Sequence, residues 1–226
     1  MSGLQDCVVS NDAKAMLPLH RHDDARLIVV LDGEVRETDL GGRHRYAKGD
    51  LLFRPPFCAH ANSASGAPSS FMRLPVSKDV WRQMIRRNGW RPLRGRIDLE
   101  SRLHRSMLRA SRCSNDIAAL LSHPNNGCES IDGRGGAADL QVEAIEARGL
   151  RPYEITRQFV RRFGLTPTAY RREERLQRAY FMLLLSNYSL ARIAAECSYA
   201  DQSHFSRELK SATGWSPRAF RNAFVH

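Results

Sequence analysis

A segment that occurs twice, 50 residues apart, constrains the fold of this chain more than any other feature. The first copy spans residues 155–171 and the second spans 205–221. In each copy a basic stretch with periodic apolar residues reaches a glycine, and a proline soon follows. The matched pairs are Arg157/Arg207, Gly164/Gly214, Pro167/Pro217, Arg171/Arg221, Ile155/Phe205, Phe159/Leu209 and Tyr170/Phe220. Each copy therefore predicts a helix, a break at the glycine and a second helix.

Helix-start and helix-stop signals alternate regularly over residues 138–226. Glycines occur where a helix end needs a left-handed residue, and Ser, Thr or Asp occurs where a helix start needs a cap. Two of these caps are followed by proline, which suits the first helical position. The signals predict helices over 139–148, 152–163, 167–185, 190–197, 202–213 and 217–224.

Residues 16–75 show a different pattern, with short β-branched runs separated by turn signals. The run from Leu27 to Leu31 is followed by an Asp-Gly pair, which is typical of a hairpin turn. A Pro-Pro pair at 55–56 ends a later run, because proline has no amide to donate to a sheet. Several short strands at this spacing predict a small barrel or sandwich.

Between these regions, residues 79–121 predict helix, because apolar residues recur at steps of three or four. This apolar stripe packs either on the chain's own barrel or on a second copy of the chain. Residues 122–137 are rich in glycine and predict a flexible linker. The stripe consists of Leu99, Leu103, Met107, Ala110, Ile117 and Leu120.

The predicted fold class is therefore α+β, with three regions. Residues 1–78 form a small β-barrel that senses a ligand or dimerises. Residues 79–137 form a helical connector and linker. Residues 138–226 form an all-α domain with two helix-turn-helix units.

The charge of the chain is divided unevenly along its length. The formal net charge is +11, yet residues 1–75 carry 9 basic and 9 acidic side chains. The excess lies in residues 76–130, with +6, and in residues 131–226, with +5. A solvated basic surface is one explanation. The coincidence of the charge with the repeat favours a back half that faces a polyanion.

The cysteines indicate a reducing compartment, and the hydropathy of the chain gives no signal for a membrane. The five cysteines are widely spaced and lack the spacing of a zinc site, so we expect free thiols in the cytoplasm. The N-terminus lacks a signal peptide pattern, and no apolar run approaches about 18 residues, so no membrane partner is expected. The cysteines are Cys7, Cys58, Cys113, Cys128 and Cys197.

Two helix-turn-helix units on one rod suit duplex DNA. The second helix of such a unit lies in the major groove while the first braces it. Helices 152–163 and 202–213 take this recognition position. The helix between the units, 167–185, spans roughly 28 Å at the α-helical rise. Successive major grooves on one DNA face are about 34 Å apart, so one chain can reach two grooves.

The same periodicity selects the residues that face the DNA. Apolar residues of each recognition helix fall on one face, which turns arginine and small polar residues outward. Arginine binds guanine with two hydrogen bonds, and the hydroxyl, imidazole and phenol groups of the same faces also suit base edges. Basic residues at other positions of these helices are better placed for phosphates. A solvated charge is the alternative for any single arginine. The predicted base contacts are Tyr153, Thr156, Arg157, Ser203, His204 and Arg207. The predicted backbone contacts are Arg161, Arg162, Arg171, Gln202, Lys210 and Arg221.

Residues 189–221 closely resemble the signature of AraC/XylS-type bacterial transcription regulators. The specific part is Asp201-Gln-Ser-His-Phe205, followed by Arg207, Lys210, Gly214 and Pro217. This resemblance implies two helix-turn-helix units joined by a central helix. The chain departs from the family at Ser198, where glycine is usual, and at Arg151, where Ser or Thr usually caps the helix. Serine tolerates a left-handed conformation less well than glycine, so that turn is expected to be strained.

The front half resembles a cupin, the small β-barrel that senses ligands in many of these regulators. The resemblance rests on His20-Arg-His22 and on the segment from Gly49 to Asn62, which contains His60. It implies a pocket that contains His20, His22 and His60. Arg26 stands near the place of the cupin glutamate, and a guanidinium there would repel a metal and attract an anion. The histidines either hold a metal, line an organic-ligand pocket or bond to backbone.

The sequence thus predicts a DNA-binding transcription regulator, an activator modulated by a small molecule, and not an enzyme. RNA polymerase and a second copy of the chain are further candidate partners. No cofactor is expected, apart from a metal at the three histidines as the open alternative. A second hypothesis is a metal-dependent cupin enzyme, a dioxygenase or isomerase, with a basic helical tail. A third is a regulator whose barrel binds no ligand.

Overall fold

The computed structural model describes residues 8–14, 16–88, 92–96, 142, 143 and 145–224. The chain divides into two compact units, Met1–Gly164 and Leu165–His226. Among the described residues, the strands and two helices belong to the first unit, and four helices belong to the second. The predicted α+β class, with an N-terminal β-region and a C-terminal helical region, is confirmed.

Short antiparallel strands build the first unit. In chain order they are β1 (Val8–Asn11), β2 (Leu17–His20), β3 (Ala25–Asp32), β4 (Glu34–Asp39), β5 (Gly42–Ala47), β6 (Asp50–Arg54), β7 (His60–Ser63), β8 (Ser69–Val76) and β9 (Leu93–Arg96). One sheet has the order β1-β8-β3-β6-β9 and the other has the order β2-β7-β4-β5. Within the described residues the strands form two sheets rather than one closed sheet.

Alternation along strand β3 places side chains on both faces of its sheet. Leu27 and Val29 point to one face and are fully buried, while Arg26 and Ile28 point to the other. The strand turns back at Gly33, which has a φ of +71°. A side chain there would also place its Cβ 2.4 Å from the Pro68 carbonyl oxygen, so only glycine fits this turn.

Residues 79–121 were predicted to be helical, but the described part of this region contains a strand as well as a helix. Helix α1 (Lys78–Asn88) agrees with the prediction, but β9 pairs with β6 and places Leu93 opposite Phe53. The segment is extended because pairing with β6 buries Leu93 and lets the next side chain, Arg94, bond to Tyr46 and Asp39 of the second sheet. The predicted apolar stripe from Leu99 onward lies outside the described residues, as does the predicted linker over 122–137.

The helices after residue 150 follow the predicted boundaries closely. Helix α2 (Pro152–Phe163) ends the first unit. The second unit contains α3 (Pro167–Leu185), α4 (Leu190–Glu196), α5 (Gln202–Thr213) and α6 (Pro217–Phe224). Only α4 is shorter than predicted, by one residue. The predicted helix 139–148 lies partly outside the described residues; residues 142, 143, 145 and 146 are helical.

Aromatic side chains make up much of the core of the second unit. Tyr180, Phe205 and Phe220 are fully buried, and the rings of Tyr180 and Phe220 stack with centroids 5.9 Å apart. Cys197 is buried and free, and burial raises the pKa of its thiol. None of the described helices has the length and apolar character that crossing a membrane requires.

Candidate functional site

A cavity of about 140 Å³ lies between the two sheets of the first unit. Its apolar lining includes Ile28, Val30 and Leu52 of the first sheet and Val35 of the second. The polar lining contains every residue for which the sequence predicted a ligand pocket, namely His20, His22, Arg26 and His60. An apolar cavity with a few converging polar groups is the usual form of a small-molecule site.

The three histidines converge at one side of this cavity. His20 of β2 and His60 of β7 are paired across the sheet, and their ring centroids are 4.2 Å apart. The His22 ring lies 4.9 Å from that of His20 and 5.2 Å from that of His60. One ring nitrogen from each residue lies within 4.8 Å of the others.

Backbone carbonyls orient two of the rings. The Nδ1 atom of His20 lies 2.7 Å from the carbonyl oxygen of Pro18, and that of His60 lies 3.0 Å from the carbonyl oxygen of Cys58. A carbonyl only accepts, so both Nδ1 atoms donate, and Nε2 is the atom of each ring that can accept a hydrogen bond or bind a metal when it carries no proton.

Burial keeps two of the imidazoles neutral. It lowers the pKa of His60 to about 2, and the positive charge of Arg54 adds to the shift. Burial also lowers the pKa of His22 to about 4, with Arg26 as the next cause. Both rings are therefore unprotonated at neutral pH, as a metal ligand or a hydrogen-bond acceptor must be.

Two arginines line the same cavity, and each is paired with a carboxylate. Arg26 donates through Nε to both oxygens of Asp24, at 2.7 and 2.8 Å. Arg54 donates to Glu37, and both side chains are buried. Burial raises the pKa of Glu37, and Arg54 opposes that shift. Among the described residues, Glu37 Oε1 and Arg54 Nε have no hydrogen-bond partner, so a ligand with both a donor and an acceptor would satisfy them.

The histidine cluster also fits a transition-metal ion. Metal-binding histidines usually donate their second ring nitrogen to a carbonyl or carboxylate, as His20 and His60 do. Arg26 is expected to repel a cation, and its pairing with Asp24 offsets that charge only in part, since Arg26 still lowers the pKa of His22. His20, His22 and His60 are thus the residues that would hold a metal, and three imidazoles suit zinc, iron, nickel or copper.

Helix α5 has a fully formed start and an exposed polar face. The Asp201 side chain accepts a hydrogen bond from the backbone N–H of His204 at 2.6 Å, which caps the helix. Ser203 and Arg207 are exposed, and the His204 side chain is 40% exposed. The structure therefore brings the three predicted base-contacting residues of α5 onto one accessible face.

The buried carboxylate of Glu208 contacts three basic side chains near that face. Glu208 accepts hydrogen bonds from Arg172 at 2.8 Å and from Arg175 at 3.2 Å. Nε2 of His204 lies 3.6 Å from the same carboxylate. The Tyr199 ring meets His204 edge-on, at 5.4 Å between centroids. These contacts tie the orientation of His204 to the interior of the second unit.

Helix α2 presents the matching face of the first copy. Tyr153 and Arg157 are exposed and Thr156 is half-buried. The start of the helix is capped differently, because Arg151 has no side-chain acceptor. The Glu154 carboxylate instead accepts from the backbone N–H of Arg151 at 3.0 Å.

Comparison with known proteins identifies the region that holds these two helices. A family model described as a helix-turn-helix domain matches residues 146–223. The HTH-type transcriptional activator RhaS of Escherichia fergusonii is 42% identical over 80 residues, which are 35% of this chain and 29% of that protein. Residues 146–223 form an AraC-type helix-turn-helix domain. The resemblance to AraC/XylS-type regulators is thereby confirmed for this region.

Two solved structures are similar at lower identity. ToxT from Vibrio cholerae aligns over 97% of this chain and 98% of its own, with 12% identity and a TM-score of 0.40. An AraC-type DNA-binding domain-containing regulator from Chromobacterium violaceum aligns over 38% of this chain and 77% of its own, with 24% identity and a TM-score of 0.34. The chain spans less than a third of the length of the curated relatives that it matches.

The predicted backbone-contacting residues of the AraC-type domain are not equivalent in the structure. Arg161 and Arg162 are exposed on α2, and Gln202 and Lys210 are exposed on α5. Arg221 donates through Nη2 to the carbonyl oxygen of Tyr188 at 2.7 Å. One nitrogen of the Arg221 guanidinium is therefore already used in a bond within the protein. Arg171 is exposed on α3.

Sequence reasoning missed the residues that orient the exposed ones. Glu208 carries no motif signal, and only its position beside the apolar residues of α5 indicates burial. The Arg54–Glu37 pair was also missed, although each residue lies on a strand face with cavity-lining neighbours. An alternation count along β4 and β6 would have placed both inward.

Proposed function

We propose that this protein is a DNA-binding transcription regulator, an activator whose response is set by a small molecule in the β-region cavity. Helices α2 and α5 enter adjacent major grooves, and the exposed arginines Arg157 and Arg207 contact bases. The observation that carries the proposal is the repeated helix-break-helix unit with an arginine at the same place in both copies. RNA polymerase and a second copy of the chain are the further partners of such an activator.

The local chemistry of the recognition faces supports this proposal. Ser203, His204 and Arg207 present a hydroxyl, an imidazole and a guanidinium on consecutive turns of one helix, which suits base edges in a major groove. The basic excess of the back half supplies the attraction for phosphates.

DNA binding is tested first with a salt titration. A duplex selected by the full chain from a random pool should bind with a log–log salt slope near −5, as expected for about six phosphate contacts. A flat titration would overturn the proposal. Footprinting on the same duplex should give two protected segments about one helical turn apart.

The cavity is tested by variants that leave its apolar lining intact. A small-molecule screen by thermal shift should yield ligands whose effect is lost in Glu37→Gln and retained in Asp32→Asn. Glu37 lines the cavity and has an unsatisfied buried oxygen, whereas Asp32 is exposed and lies outside the cavity lining. Ligands that stabilise both variants equally would bind elsewhere.

A metal-dependent cupin enzyme is the second candidate, favoured by one observation, the converging imidazoles of His20, His22 and His60. Such an enzyme would use the metal as a Lewis acid or redox centre. The test is titration of the full chain with Zn²⁺, Fe²⁺, Ni²⁺ or Cu²⁺, compared with His60→Gln. Tight stoichiometric binding followed by turnover of an organic substrate would favour this candidate. Binding without turnover would leave the metal as part of a sensor.

A further inference from the structure

A second cavity, of about 960 Å³, lies in the first unit beside helix α2. Its lining is dominated by the arginines Arg43, Arg148, Arg157, Arg161 and Arg162, together with one glutamine and one isoleucine. Arg43 comes from strand β5, so the cleft joins the β-region to the recognition helix of the first repeat copy. We call it the arginine cleft.

Close contacts between α2 and the β4–β5 hairpin form one side of the cleft. A Cβ built on Gly42 would lie 3.7 Å from Nε of Arg162, and one built on Gly164 would lie 3.6 Å from the Thr38 methyl group. Gly42 has a φ of +120°, a conformation that favours glycine. The hairpin can therefore approach the end of α2 closely, and this approach brings Arg43 near the arginines of the helix.

Among the described residues, no carboxylate lines the cleft, and four of its five arginines, Arg43, Arg148, Arg157 and Arg161, form no ion pair with another described residue. Arginines elsewhere on the same strand behave differently, since Arg45 pairs with Glu34 at 2.6 Å. Like charges gathered in one concave surface repel one another and attract a polyanion from solution.

We propose that the arginine cleft binds the phosphate backbone of duplex DNA beside the groove that α2 enters. The proposal rests on the DNA-binding function proposed above and adds phosphate contacts from outside the recognition helices. Arg157 lies in both surfaces, on the exposed face of α2 and on the wall of the cleft. A helix in a major groove has a sugar-phosphate strand along each side, so a concave basic wall next to α2 meets that strand. The guanidinium fork matches a phosphate with two hydrogen bonds.

Arg43 is the decisive residue, because it belongs to the β-region and lies far along the chain from the helix-turn-helix domain. Its contact makes the β-region itself part of the DNA interface. Arg148 is the second new contact and lies in the turn just before α2. Neither was among the residues that the sequence predicted to touch DNA.

The test is a salt titration of the full chain on its selected duplex, with Arg43→Ala, Arg148→Ala and Arg45→Ala compared with wild type. Loss of one phosphate contact should reduce the salt slope by about 0.9 and weaken binding to all sequences alike. Arg43→Ala and Arg148→Ala should each show this reduction. Arg45→Ala is the matched control, on the same strand and also exposed but paired with Glu34, and its slope should equal the wild-type slope. Equal thermal unfolding midpoints without DNA would show that the variants are folded.

The outcomes distinguish failure of the cleft proposal from failure of the proposed DNA-binding function. If wild type binds steeply and Arg43→Ala binds with the same slope, the cleft proposal is wrong and DNA binding stands. If wild type itself fails to bind, the proposed function is wrong. A third arm adds ATP as a soluble polyphosphate. If ATP stabilises wild type but not Arg43→Ala, while the DNA slopes are equal, the cleft serves a nucleotide and the DNA assignment is overturned.

Discussion

The recognition helices of the two copies have matching boundaries and an exposed arginine at the same position, yet their surroundings differ. Helix α5 is capped by Asp201 and supported by the buried Glu208. At the position that matches Glu208, 50 residues earlier, α2 has the half-buried Gln158. The comparison teaches that a duplicated motif preserves the fold of a unit more faithfully than the contacts that hold its binding face in place.

The turns before the two helices also differ. The left-handed residue of the first turn is Gly149, with a φ of 61°, and that of the second is Ser198, with a φ of 57°. The expected left-handed serine is thus confirmed. The turn before α5 is one residue longer, because Ser198 lies four residues before the helix start and Gly149 lies three.

The largest expected difference between the copies comes from the buried carboxylate. Glu208→Ala removes the acceptor of two arginine hydrogen bonds and should lower the free energy of unfolding by about 2 kcal/mol. The loss of stability is limited because Arg172, whose side chain is 62% exposed, can hydrogen-bond to water once Glu208 is removed. Gln158→Ala should change stability by less than about 0.5 kcal/mol. Urea denaturation of the full chain measures both, and equal losses would erase the contrast.

The next contrast concerns the two exposed arginines. Arg207→Ala should weaken binding of the selected duplex by about 1–3 kcal/mol and relax the preference at one base pair. Arg157→Ala should cost less, because α2 lacks the supporting contacts that α5 has. Binding of single-base-substituted duplexes distinguishes the two effects. A loss that is uniform across all sequences would assign Arg207 to phosphate instead.

Helix capping gives a smaller difference. Asp201→Ala removes the cap of α5 and should lower the free energy of unfolding by about 1 kcal/mol. Arg151→Ser adds a side-chain acceptor at the start of α2 and should raise it by about 0.5 kcal/mol, since the Glu154 carboxylate already satisfies one of the groups there. Thermal unfolding measures both, and a loss in Arg151→Ser would mean that the contacts of Arg151 outweigh a cap.

The smallest expected effect lies in the second turn. Ser198→Gly relieves a left-handed serine and should raise the free energy of unfolding by about 0.5 kcal/mol, after the entropy cost of glycine is subtracted. Gly149→Ser in the first turn should lower it by at least as much. If Ser198→Gly is destabilising, the serine side chain makes a contact that offsets its backbone strain.

Local signals in the sequence predicted the helices well. Four of the six predicted helices have the observed ends, because Ser, Thr, Asp, Pro and Gly act on the neighbouring backbone alone. Strand β9 was missed because its four residues gain their structure from pairing with β6, which lies about 40 residues earlier in the chain. Non-local pairing leaves no periodic signal in so short a segment.

The candidate sites were predictable to a different degree. The histidines of the cavity and the arginines of the recognition helices carry motif signals. The sequence placed His20, His60 and these arginines correctly on strands and helices, whereas His22, also predicted on a strand, lies two residues after β2 ends. Glu208, Glu37 and Arg43 carry none, because their roles depend on which side chains surround them in space. Whether a charged residue is paired, buried or one of a group of like charges is a property of the tertiary structure.

Strand β5 links the two cavities of the first unit. Tyr46 lines the cavity between the sheets, and Arg43, three residues away and about 10 Å along the strand, lines the arginine cleft. The two sites therefore share one rigid element, in which Tyr46 is further fixed by its hydrogen bond from Arg94. Coupling between two binding sites is reciprocal. If an effector in the cavity changes the affinity for DNA by some factor, bound DNA changes the affinity for the effector by the same factor. The protein bound at a promoter would then respond to a different effector concentration from the protein free of DNA.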